Sequence, residues 1–234
     1  MNLQNAKILI TGGSLGIGKA AAKMLMESGA NVLITGRNEE RIKKAAQELH
    51  AHGIAADVAS TEDREKTMRA VADVLGGLDV LINNAGIGEF SSLDELTIEQ
   101  FQNVFSTNVF AAALMTQEAV KIFKKQNRGN IINIASTAAL KGFANGTVYA
   151  ASKFALRGMT QCWQAELRKH NIRVMEINPS EVTTAFANPK GEERPEQKNK
   201  LRGEEIAHAI KSVLEMDERG FIPELTVWAT NPWA

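Results

Sequence analysis

The stretch KILITGGSLGIG, residues 7–18, decides the fold of this chain. Its apolar and β-branched start predicts a short buried strand, and the four glycines that follow predict a tight turn into a helix. Glycine allows the backbone to come close to a phosphate, and the free N–H groups at a helix start attract negative charge. A strand, a glycine-rich turn and a helix in this order predict a nucleotide site.

A phosphate loop of the ATPase type is a second interpretation of the same residues. Gly13, Gly18 and Lys19 fit the spacing GxxxxGK, but Ala20 follows the lysine. A phosphate loop has a serine or threonine there, whose hydroxyl holds Mg²⁺. We therefore rank this interpretation below a dinucleotide site.

Short apolar strands alternate with helices of about 10 to 15 residues along the whole chain, a pattern typical of βαβ units. It predicts a single α/β domain over residues 1–234, with a doubly wound parallel sheet of about seven strands. The irregular segment at about residues 179–203 is predicted to be a substrate loop over the site. The predicted strands are Lys7–Thr11, Asn31–Thr35, Ile54–Asp57, Leu78–Asn83, Asn130–Ala135, Ile172–Ile177 and about Glu224–Trp228.

The overall charge is balanced, because 27 acidic residues offset 27 basic ones. Such a chain has no electrostatic footprint for nucleic acid or for an anionic membrane. The N-terminal residues lack the apolar core and cleavage site of a signal peptide, and no run approaches the ~20 apolar residues of a membrane span. We therefore expect a cytoplasmic protein that acts on a small molecule.

The cysteine and histidine content argues against both a disulfide and a metal centre. Cys162 is the only cysteine, and its place in a predicted helix favours a buried, unreactive thiol. The four histidines form no HExxH motif, and His50 and His52 flank a helix end without a partner cluster. We predict no metal site.

Tyr149 and Lys153 are the first candidates for catalysis. In a helix from about Thr147 they lie one turn apart on the same face. A lysine in that place is expected to lower the pKa of the phenol, which makes the tyrosine a general acid/base. Ser136, thirteen residues earlier and just after a predicted strand, can donate a second hydrogen bond to the same substrate oxygen. A tyrosine and a lysine at this spacing also occur as an ordinary surface pair, so the spacing alone leaves both interpretations open.

Arg37 and Asp57 follow the second and third predicted strands. An acidic residue about twenty positions past the glycines holds the ribose 2′-hydroxyl of NAD, but this chain has Gly36 and then Arg37. A guanidinium pairs with a 2′-phosphate and stacks on adenine, so NADP is favoured over NAD. The alternative is a solvated arginine beside two glutamates. Asp57 either accepts a hydrogen bond from the adenine amino group or caps a turn before Ser60.

Asn108 occupies a position in the apolar stripe of a long predicted helix. A buried amide must be hydrogen-bonded. It either binds a water that links Lys153 to solvent or ties down a neighbouring carbonyl group.

Taken together, these motifs closely resemble the short-chain dehydrogenase/reductase family. The loose patterns TGxxxGxG and YxxxK occur here with NNAG between them and with a serine thirteen residues before the tyrosine. The match covers nearly the whole chain in the family's order. The motifs that carry it are TGGSLGIG (11–18), Asp57, NNAG (83–86), Asn108, Ser136, YAASK (149–153) and NPSEVTT (178–184).

The resemblance implies a one-domain Rossmann fold, a nicotinamide cofactor and hydride transfer between that cofactor and a carbonyl or alcohol carbon. It implies that Tyr149 exchanges the proton while Ser136 polarises the substrate oxygen. Lys153 then holds the nicotinamide ribose and lowers the tyrosine pKa, and Asn108 anchors a water of the proton relay. The implied cofactor-binding residues are Gly12, Ser14, Gly16, Ile17, Gly18, Arg37, Asp57, Val58, Asn84, Ala85, Gly86, Tyr149, Lys153, Pro179, Val182 and Thr184.

The chain departs from the family at Ser180 and Glu181, because Pro179 is commonly followed by glycine. Glu181 either repels anionic substrates, such as acyl-carrier groups, or points to solvent. Similar proteins form dimers or tetramers through two long helices, here at about 98–126 and 148–169. The resemblance therefore implies a homodimer or homotetramer.

The expected activity is that of an NADP-preferring carbonyl reductase or secondary-alcohol dehydrogenase. The substrate loop and the C-terminal tail have no basic cluster for a phosphate or carboxylate, which favours a small neutral ketone, aldehyde or alcohol. Reduction of a 3-oxoacyl thioester is the alternative within the family. A non-catalytic dinucleotide-binding redox sensor is the alternative of another class, although an intact Ser136, Tyr149 and Lys153 argues against it.

Overall fold

A parallel sheet of seven strands forms the centre of the molecule, and the computed structural model describes residues 1–188 and 191–233 around it. The strand order across the sheet is β3-β2-β1-β4-β5-β6-β7, and every neighbouring pair runs parallel. This confirms the predicted fold class. The strands are β1 (Lys7–Ile10), β2 (Asn31–Gly36), β3 (His52–Ala55), β4 (Val80–Asn83), β5 (Gly129–Ile134), β6 (Ile172–Pro179) and β7 (Glu224–Val227).

Helices cover both faces of the sheet. Two of the helical runs contain a wider π-helical turn, at Val71–Leu75 and at Ser106–Ala111, so the long helix predicted over 98–126 is not uniform. The α-helices are α1 (Gly16–Glu27), α2 (Glu39–Leu49), α3 (Thr61–Ala70), α4 (Ile98–Phe105), α5 (Ala112–Gln126), α6 (Thr147–Leu167) and α7 (Gly203–Glu215).

Two apolar cores lie on opposite faces of the sheet, because successive strand residues point to opposite sides. In β1, Ile8 and Ile10 belong to the core covered by α1 and α7, whereas Leu9 belongs to the core that contains Met115 and Phe123 of α5. All five side chains are buried. Burial on both faces explains why the strands are continuous apolar runs rather than alternating ones.

The third strand begins two residues earlier than predicted and ends before Asp57. The Asp57 carboxylate accepts a hydrogen bond from the Ala59 N–H at 2.9 Å, and the Asp57 N–H donates to the Asp63 carboxylate at 2.8 Å. These local bonds turn the chain toward α3, whose N-terminus is capped by Ser60. Asp57 therefore caps a turn, which is one of the two roles that the sequence left open.

The strand order reverses between β1 and β4. The residues that the sequence singled out as candidate site residues follow the strand ends along one edge of the sheet. Ligands of open parallel sheets bind outside the carboxyl ends of the strands at such a switch point. The glycine turn follows β1, Asn84 follows β4, and Ser136 follows β5. β6 ends at Pro179 on the same edge.

The segment between β6 and α7 contains the predicted substrate loop, of which Pro189 and Lys190 lie outside the described residues. Val182 and Leu201 form an isolated parallel bridge that draws the two ends of the segment together. Arg194 donates hydrogen bonds to the carbonyl groups of Thr184 at 3.0 Å and Val182 at 2.7 Å. The described part of the segment is thereby folded back beside the end of β6.

Cys162 is exposed, which corrects the expectation of a buried thiol. The reason is the helical period of α6, whose buried face carries Lys153, Leu156 and Thr160 and leaves position 162 on the outer side. Across the described residues, no helix is long and apolar enough to cross a membrane.

Candidate active site

The glycine turn after β1 has no room for side chains at two of its positions. Gly12 has a φ of +66°, and a Cβ there would lie 2.9 Å from the Cα of Ala85. A Cβ on Gly18 would lie 2.3 Å from the carbonyl oxygen of Gly12, so α1 packs directly against the turn. The turn therefore brings bare backbone to the edge of the sheet.

Asn84 joins the end of β4 to this turn. Its side-chain amide donates to the carbonyl oxygens of Thr11 at 3.0 Å and Gly12 at 2.9 Å. In return, the Thr11 hydroxyl accepts from the N–H groups of Asn84 and Ala85, both at 3.1 Å. Four hydrogen bonds thus fix the two strand ends at the switch point, and the role of the Thr11 hydroxyl was not predicted from the sequence.

Ser136, Tyr149 and Lys153 come together at the end of β5. Ser136 caps a short 3₁₀ turn, and its hydroxyl accepts from the Ala138 N–H at 3.1 Å. Tyr149 and Lys153 lie on the buried face of α6, with the Lys153 ammonium 5.8 Å from the centre of the tyrosine ring. The ammonium also donates to the Ile134 carbonyl at 2.9 Å, which anchors α6 to the end of β5.

Burial controls the protonation of this pair. It raises the pKa of Tyr149 to about 12, and a hydrogen bond with the Ser136 side chain opposes that rise. Burial also lowers the pKa of Lys153 to about 8, although the nearby Glu176 carboxylate opposes that change. The sequence predicted that Lys153 would lower the tyrosine pKa. Here burial of the phenol raises its pKa instead, so the tyrosine is protonated at neutral pH.

Asn108 lies in the π-helical turn and is 1% exposed. Its amide oxygen accepts from the Ile87 N–H at 2.9 Å, and its amide nitrogen donates to the Ile87 carbonyl at 2.9 Å and to the Ser152 hydroxyl at 3.0 Å. A Cβ on Gly86 would lie 3.4 Å from the Asn108 amide oxygen and 3.6 Å from the Lys153 ammonium. The amide therefore ties down the backbone directly behind the lysine.

A cleft of about 1060 Å³ runs along this edge of the sheet. Most of the residues singled out from the sequence line it, which brings the proposed catalytic and cofactor residues into one site. These are Gly12, Gly16, Ile17, Arg37, Asn84, Ala85, Gly86, Ser136, Tyr149, Lys153, Pro179, Val182 and Thr184. The singled-out residues that stand outside the lining are Ser14, Gly18, Asp57, Val58 and Asn108.

These residues outside the lining have contacts that shape the backbone beside the cleft. Ser14 packs against the end of β2, where a Cβ on Gly36 would lie 3.1 Å from its hydroxyl oxygen. Val58 is buried, and its carbonyl accepts from the Arg64 guanidinium at 2.9 Å. Like Gly18 and Asp57, they shape the backbone that carries the cleft.

Arg37 is exposed at the wall of the cleft. The alternative was an arginine solvated beside acidic neighbours, but Glu39 pairs with Lys43 at 2.6 Å. Lys19, the lysine of the rejected phosphate-loop interpretation, pairs with Glu48 of α2 at 2.5 Å. Arg37 is thus the cation after β2 that faces the cleft, together with Arg41.

The residues present fit a bound dinucleotide. The glycine turn leaves space that a side chain at Gly12 or Gly18 would fill. It also offers a backbone N–H to an oxyanion, since the Gly16 N–H donates to the Glu193 carboxylate at 2.8 Å. Arg37 adds a guanidinium to the same cleft. Backbone donors next to a cation are the groups that bind phosphates.

Glu181 lines the cleft, but its charge is balanced. Its carboxylate pairs with Lys200 at 2.6 Å and with Arg194 at 3.6 Å. Of the two alternatives from the sequence, the side chain's 54% exposure agrees with a place in solvent. The ion pairs remove the basis for strong repulsion.

Sequence reasoning missed a buried carboxylate beneath the site. Glu176 of β6 is 1% exposed, lies in register with Asn133 of β5 and Glu224 of β7, and has Arg157 of α6 4.0 Å away. Its carboxylate oxygens have no hydrogen-bond partner among the described residues. Burial raises the pKa of Glu176 to about 7, against the opposing effect of Asn178. The only sign of it in the sequence was one glutamate within an apolar strand.

Three phenylalanines around Tyr149 were also missed. Phe90, Phe143 and Phe186 line the cleft and follow β4, the Ser136 turn and β6 respectively. They are far apart in sequence and belong to no periodic pattern, so only the fold brings them together.

Known proteins are similar to this chain in sequence and in fold over most of its length. A model of the short chain dehydrogenase family matches residues 6–195. An uncharacterized oxidoreductase of Staphylococcus epidermidis is 32% identical over 221 residues, which is 94% of this chain and 95% of the relative.

Two solved structures illustrate the similarity in fold. An alcohol dehydrogenase from the archaeon Thermococcus sibiricus, complexed with 5-hydroxy-NADP, is 26% identical with a TM-score of 0.88, over 96% of this chain and 97% of that one. A 3-ketoacyl-(acyl-carrier-protein) reductase from Brucella melitensis, complexed with NADH, is 27% identical with a TM-score of 0.89, over 98% and 99% of the two chains.

The raised pKa of Glu176 predicts a pH-dependent stability. Its pKa rises from 4.5 to about 7 on folding, so between these pH values the folded state keeps a proton that the unfolded state has released. The free energy of unfolding should therefore fall by on the order of 3 kcal/mol from pH 4.5 to pH 7 and then level off with respect to this group. We expect Glu176→Gln to lack this fall in urea unfolding between pH 5 and pH 7.

The exposed Glu204 provides a control for this measurement. Glu204→Gln should keep the pH profile of the unmodified protein, because an exposed carboxyl gains little from losing its charge. The same dependence of the unfolding free energy on pH in Glu176→Gln and in the unmodified protein would contradict the raised pKa of Glu176.

Proposed function

The chain belongs to the short-chain dehydrogenase/reductase family, which makes it an NAD(P)-dependent oxidoreductase, and we propose that it transfers a hydride between NADP(H) and a carbonyl or secondary-alcohol carbon. The observation that supports this is the shared cleft of Ser136, Tyr149 and Lys153 with the glycine turn. A proton-transfer group and a phosphate-binding backbone in one cleft suit a reaction that couples proton transfer to a dinucleotide.

The chain's own residues divide the work of holding the cofactor, which when bound supplies or accepts the hydride. The backbone of the glycine turn suits the pyrophosphate, and Arg37 suits a 2′-phosphate. Lys153 suits the nicotinamide ribose, since an ammonium has three protons and the Ile134 carbonyl accepts only one. The remaining residues proposed to bind the cofactor are Ile17, Asp57, Val58, Asn84, Ala85, Gly86, Tyr149, Pro179, Val182 and Thr184.

Tyr149 acts as the general acid in the reducing direction. Its hydroxyl gives its proton to the substrate carbonyl oxygen as the carbonyl carbon becomes an alcohol carbon, and the resulting phenolate recovers a proton from solvent. The pKa of about 12 keeps the phenol protonated at neutral pH, which is the form that this direction requires. Ser136 donates a hydrogen bond to the same oxygen, and the cationic Lys153 stabilises the phenolate. In the oxidising direction the same groups work in reverse.

The preference for NADP rests on Arg37. Its guanidinium faces the cleft, while the neighbouring Glu39 is paired with Lys43. A 2′-phosphate accepts charge-assisted hydrogen bonds from arginine, whereas a free ribose hydroxyl gains less. Of the two similar structures, one holds an NADP derivative and the other NADH, so the relatives do not decide the choice.

We propose a small neutral ketone, aldehyde or alcohol as substrate, with a 3-oxoacyl thioester as the alternative. Both activities occur among the similar proteins, one named an alcohol dehydrogenase and one a 3-ketoacyl-(acyl-carrier-protein) reductase. The segment at about 179–203 is the proposed substrate loop. NADPH and NADH oxidation measured across ketones, aldehydes and a 3-oxoacyl thioester separates the two activities.

We also propose a cytoplasmic homodimer or homotetramer assembled through the long helices. Three large apolar side chains are exposed there: Phe110 is 56%, Leu114 is 38% and Phe154 is 45% exposed. Exposed apolar groups that cluster on helices are typical of protein interfaces.

Tyr149→Phe should lower kcat/KM by about 10²–10⁴ and change cofactor affinity little, because only the acidic hydroxyl is lost and the other proposed cofactor-binding residues remain. Steady-state NADPH oxidation and fluorescence titration of NADPH measure the two quantities. Undiminished turnover in this variant would sink the mechanism. Tight cofactor binding without turnover of any carbonyl or alcohol by the unmodified protein would favour a non-catalytic redox sensor instead.

Arg37→Ala should weaken NADPH binding by roughly tenfold to hundredfold and leave NADH binding nearly unchanged, because charge-assisted hydrogen bonds contribute about 1.5–3 kcal/mol. Calorimetric titration of both cofactors without substrate checks this. Arg219→Ala is the matched control, since that side chain is 92% exposed and pairs only with Asp217 among the described residues. Equal affinities for both cofactors, unchanged in Arg37→Ala, would refute the preference.

The proposed assembly predicts a dimer or tetramer mass for the unmodified protein in sedimentation or light-scattering experiments. Phe110→Asp or Phe154→Asp should shift the mass toward the monomer, because a buried unpaired carboxylate opposes association. Leu93→Ala, at an 80% exposed position in the 3₁₀ turn Leu93–Glu95 outside these helices, should leave the mass unchanged. A purely monomeric unmodified protein at tens of micromolar would contradict the assembly.

A further inference from the structure

Two phenylalanine rings contact the ring of Tyr149, and a third packs against one of them. The ring centres of Phe90 and Phe186 lie 5.6 Å and 5.4 Å from that of Tyr149, and Phe143 lies 6.1 Å from Phe90. All three contacts are tilted, within the range of favourable aromatic pairs. Because the rings come from three separate segments, the fold builds an aromatic enclosure around the proposed proton donor.

The backbone around these rings is shaped to admit them. A Cβ on Gly88 would lie 2.8 Å from the Phe186 ring and 2.9 Å from the Phe90 ring. A Cβ on Gly146 would lie 2.5 Å from the Phe143 ring. The rings therefore lie against bare backbone, and side chains at either glycine would displace them.

The rings remain partly open to solvent. Phe90 is 46%, Phe143 is 50% and Phe186 is 37% exposed. Apolar surface is stabilised when it leaves water, in proportion to the area that is covered. Three exposed rings at one end of a cleft therefore favour a ligand that covers them with apolar surface of its own.

Two carboxylates of the cleft wall are already engaged, while the exposed Lys141 also lines the cleft. Glu181 pairs with Arg194, and the Glu89 carboxylate accepts from the Asn103 amide at 3.0 Å. Ser136 and Tyr149 supply the hydroxyl groups that a substrate oxygen needs. The enclosure thus places the hydroxyl groups of Ser136 and Tyr149 next to the apolar faces of the phenylalanine rings.

We propose that this enclosure, formed by Phe90, Phe143, Phe186 and the Tyr149 ring, selects uncharged aryl ketones and aldehydes, or the matching benzylic alcohols. The inference rests on the proposed function, because it assigns the substrate class of the same site. The carbonyl oxygen meets Ser136 and Tyr149, and the aryl group lies against the phenylalanine rings.

The test compares acetophenone, cyclohexyl methyl ketone and 2-butanone in NADPH oxidation. Acetophenone should exceed 2-butanone in kcat/KM by about tenfold or more. Its phenyl group buries more apolar surface against the phenylalanine rings than the ethyl group of 2-butanone does. Acetophenone should also exceed cyclohexyl methyl ketone, because flat rings pair better with aromatic walls. Equal values for all three ketones, or a preference for 2-butanone, would overturn the inference.

Substitutions of the phenylalanines test whether their rings cause the preference for aryl ketones. Phe186→Ala and Phe90→Ala should reduce kcat/KM about tenfold or more for acetophenone but only a few-fold for 2-butanone. Phe186→Leu, which keeps apolar volume, guards against loss of folding and should show the same trend with a smaller effect. Leu93→Ala, an exposed position outside the cleft lining, is the control and should change neither value. Equal losses for both ketones in the Phe variants would overturn the assignment.

A binding experiment separates failure of the substrate class from failure of the proposed function. Titration of 1-phenylethanol into Tyr149→Phe protein needs no turnover, and Phe186→Ala in that background should weaken binding about tenfold. Turnover of 2-butanone without aryl selectivity would leave the proposed function standing and overturn the aryl enclosure. Absence of all turnover, with 1-phenylethanol binding that depends on Phe186, would overturn the proposed function and keep the enclosure. Absence of binding at millimolar 1-phenylethanol would overturn the enclosure.

Discussion

The hydrogen bonds between Asn84 and the glycine turn are the constraint on which the site depends. They join the ends of β1 and β4, the neighbouring strands between which the chain order reverses. The ladder between β1 and β4 pairs Ile10 with Ile82, and the Thr11 N–H donates to the Ile82 carbonyl at 3.0 Å. The Asn84 bonds extend this connection into the glycine turn. Because Asn84 fixes them, the turn can present N–H groups to an oxyanion while Gly86 stays next to Lys153.

Desolvation sets the chemistry behind this edge. Tyr149, Lys153 and Glu176 are all buried on the α6 side of the sheet, and burial disfavours the charged form of each. The tyrosine therefore stays protonated, and the lysine and glutamate titrate much closer to neutrality than they do in water. Spacing in the sequence indicates that Tyr149 and Lys153 meet, but it contains no measure of burial, and so it predicted the wrong direction for the tyrosine pKa.

The sequence was most informative where local pattern decides structure. The apolar run of β1 and its glycines predicted a strand, a turn and a helix because each depends on neighbouring residues. The shared helix face of Tyr149 and Lys153 was predicted for the same reason. The π-helical turn at Asn108 escaped prediction, since its wider pitch leaves almost no periodic signal. Glu176 escaped because its setting is made by β5, β7 and α6 rather than by its own segment.

The cleft changes character along its length, and Tyr149 stands at the boundary. One end carries the glycine turn, Arg37 and Arg41, whose donors and positive charges suit phosphates. The other end carries the phenylalanine rings, whose apolar faces suit carbon rather than charge. A dinucleotide and an apolar carbonyl compound prefer opposite ends of such a cleft. Under the proposed function their reactive groups would meet at Ser136 and Tyr149, where the proposed proton donor lies.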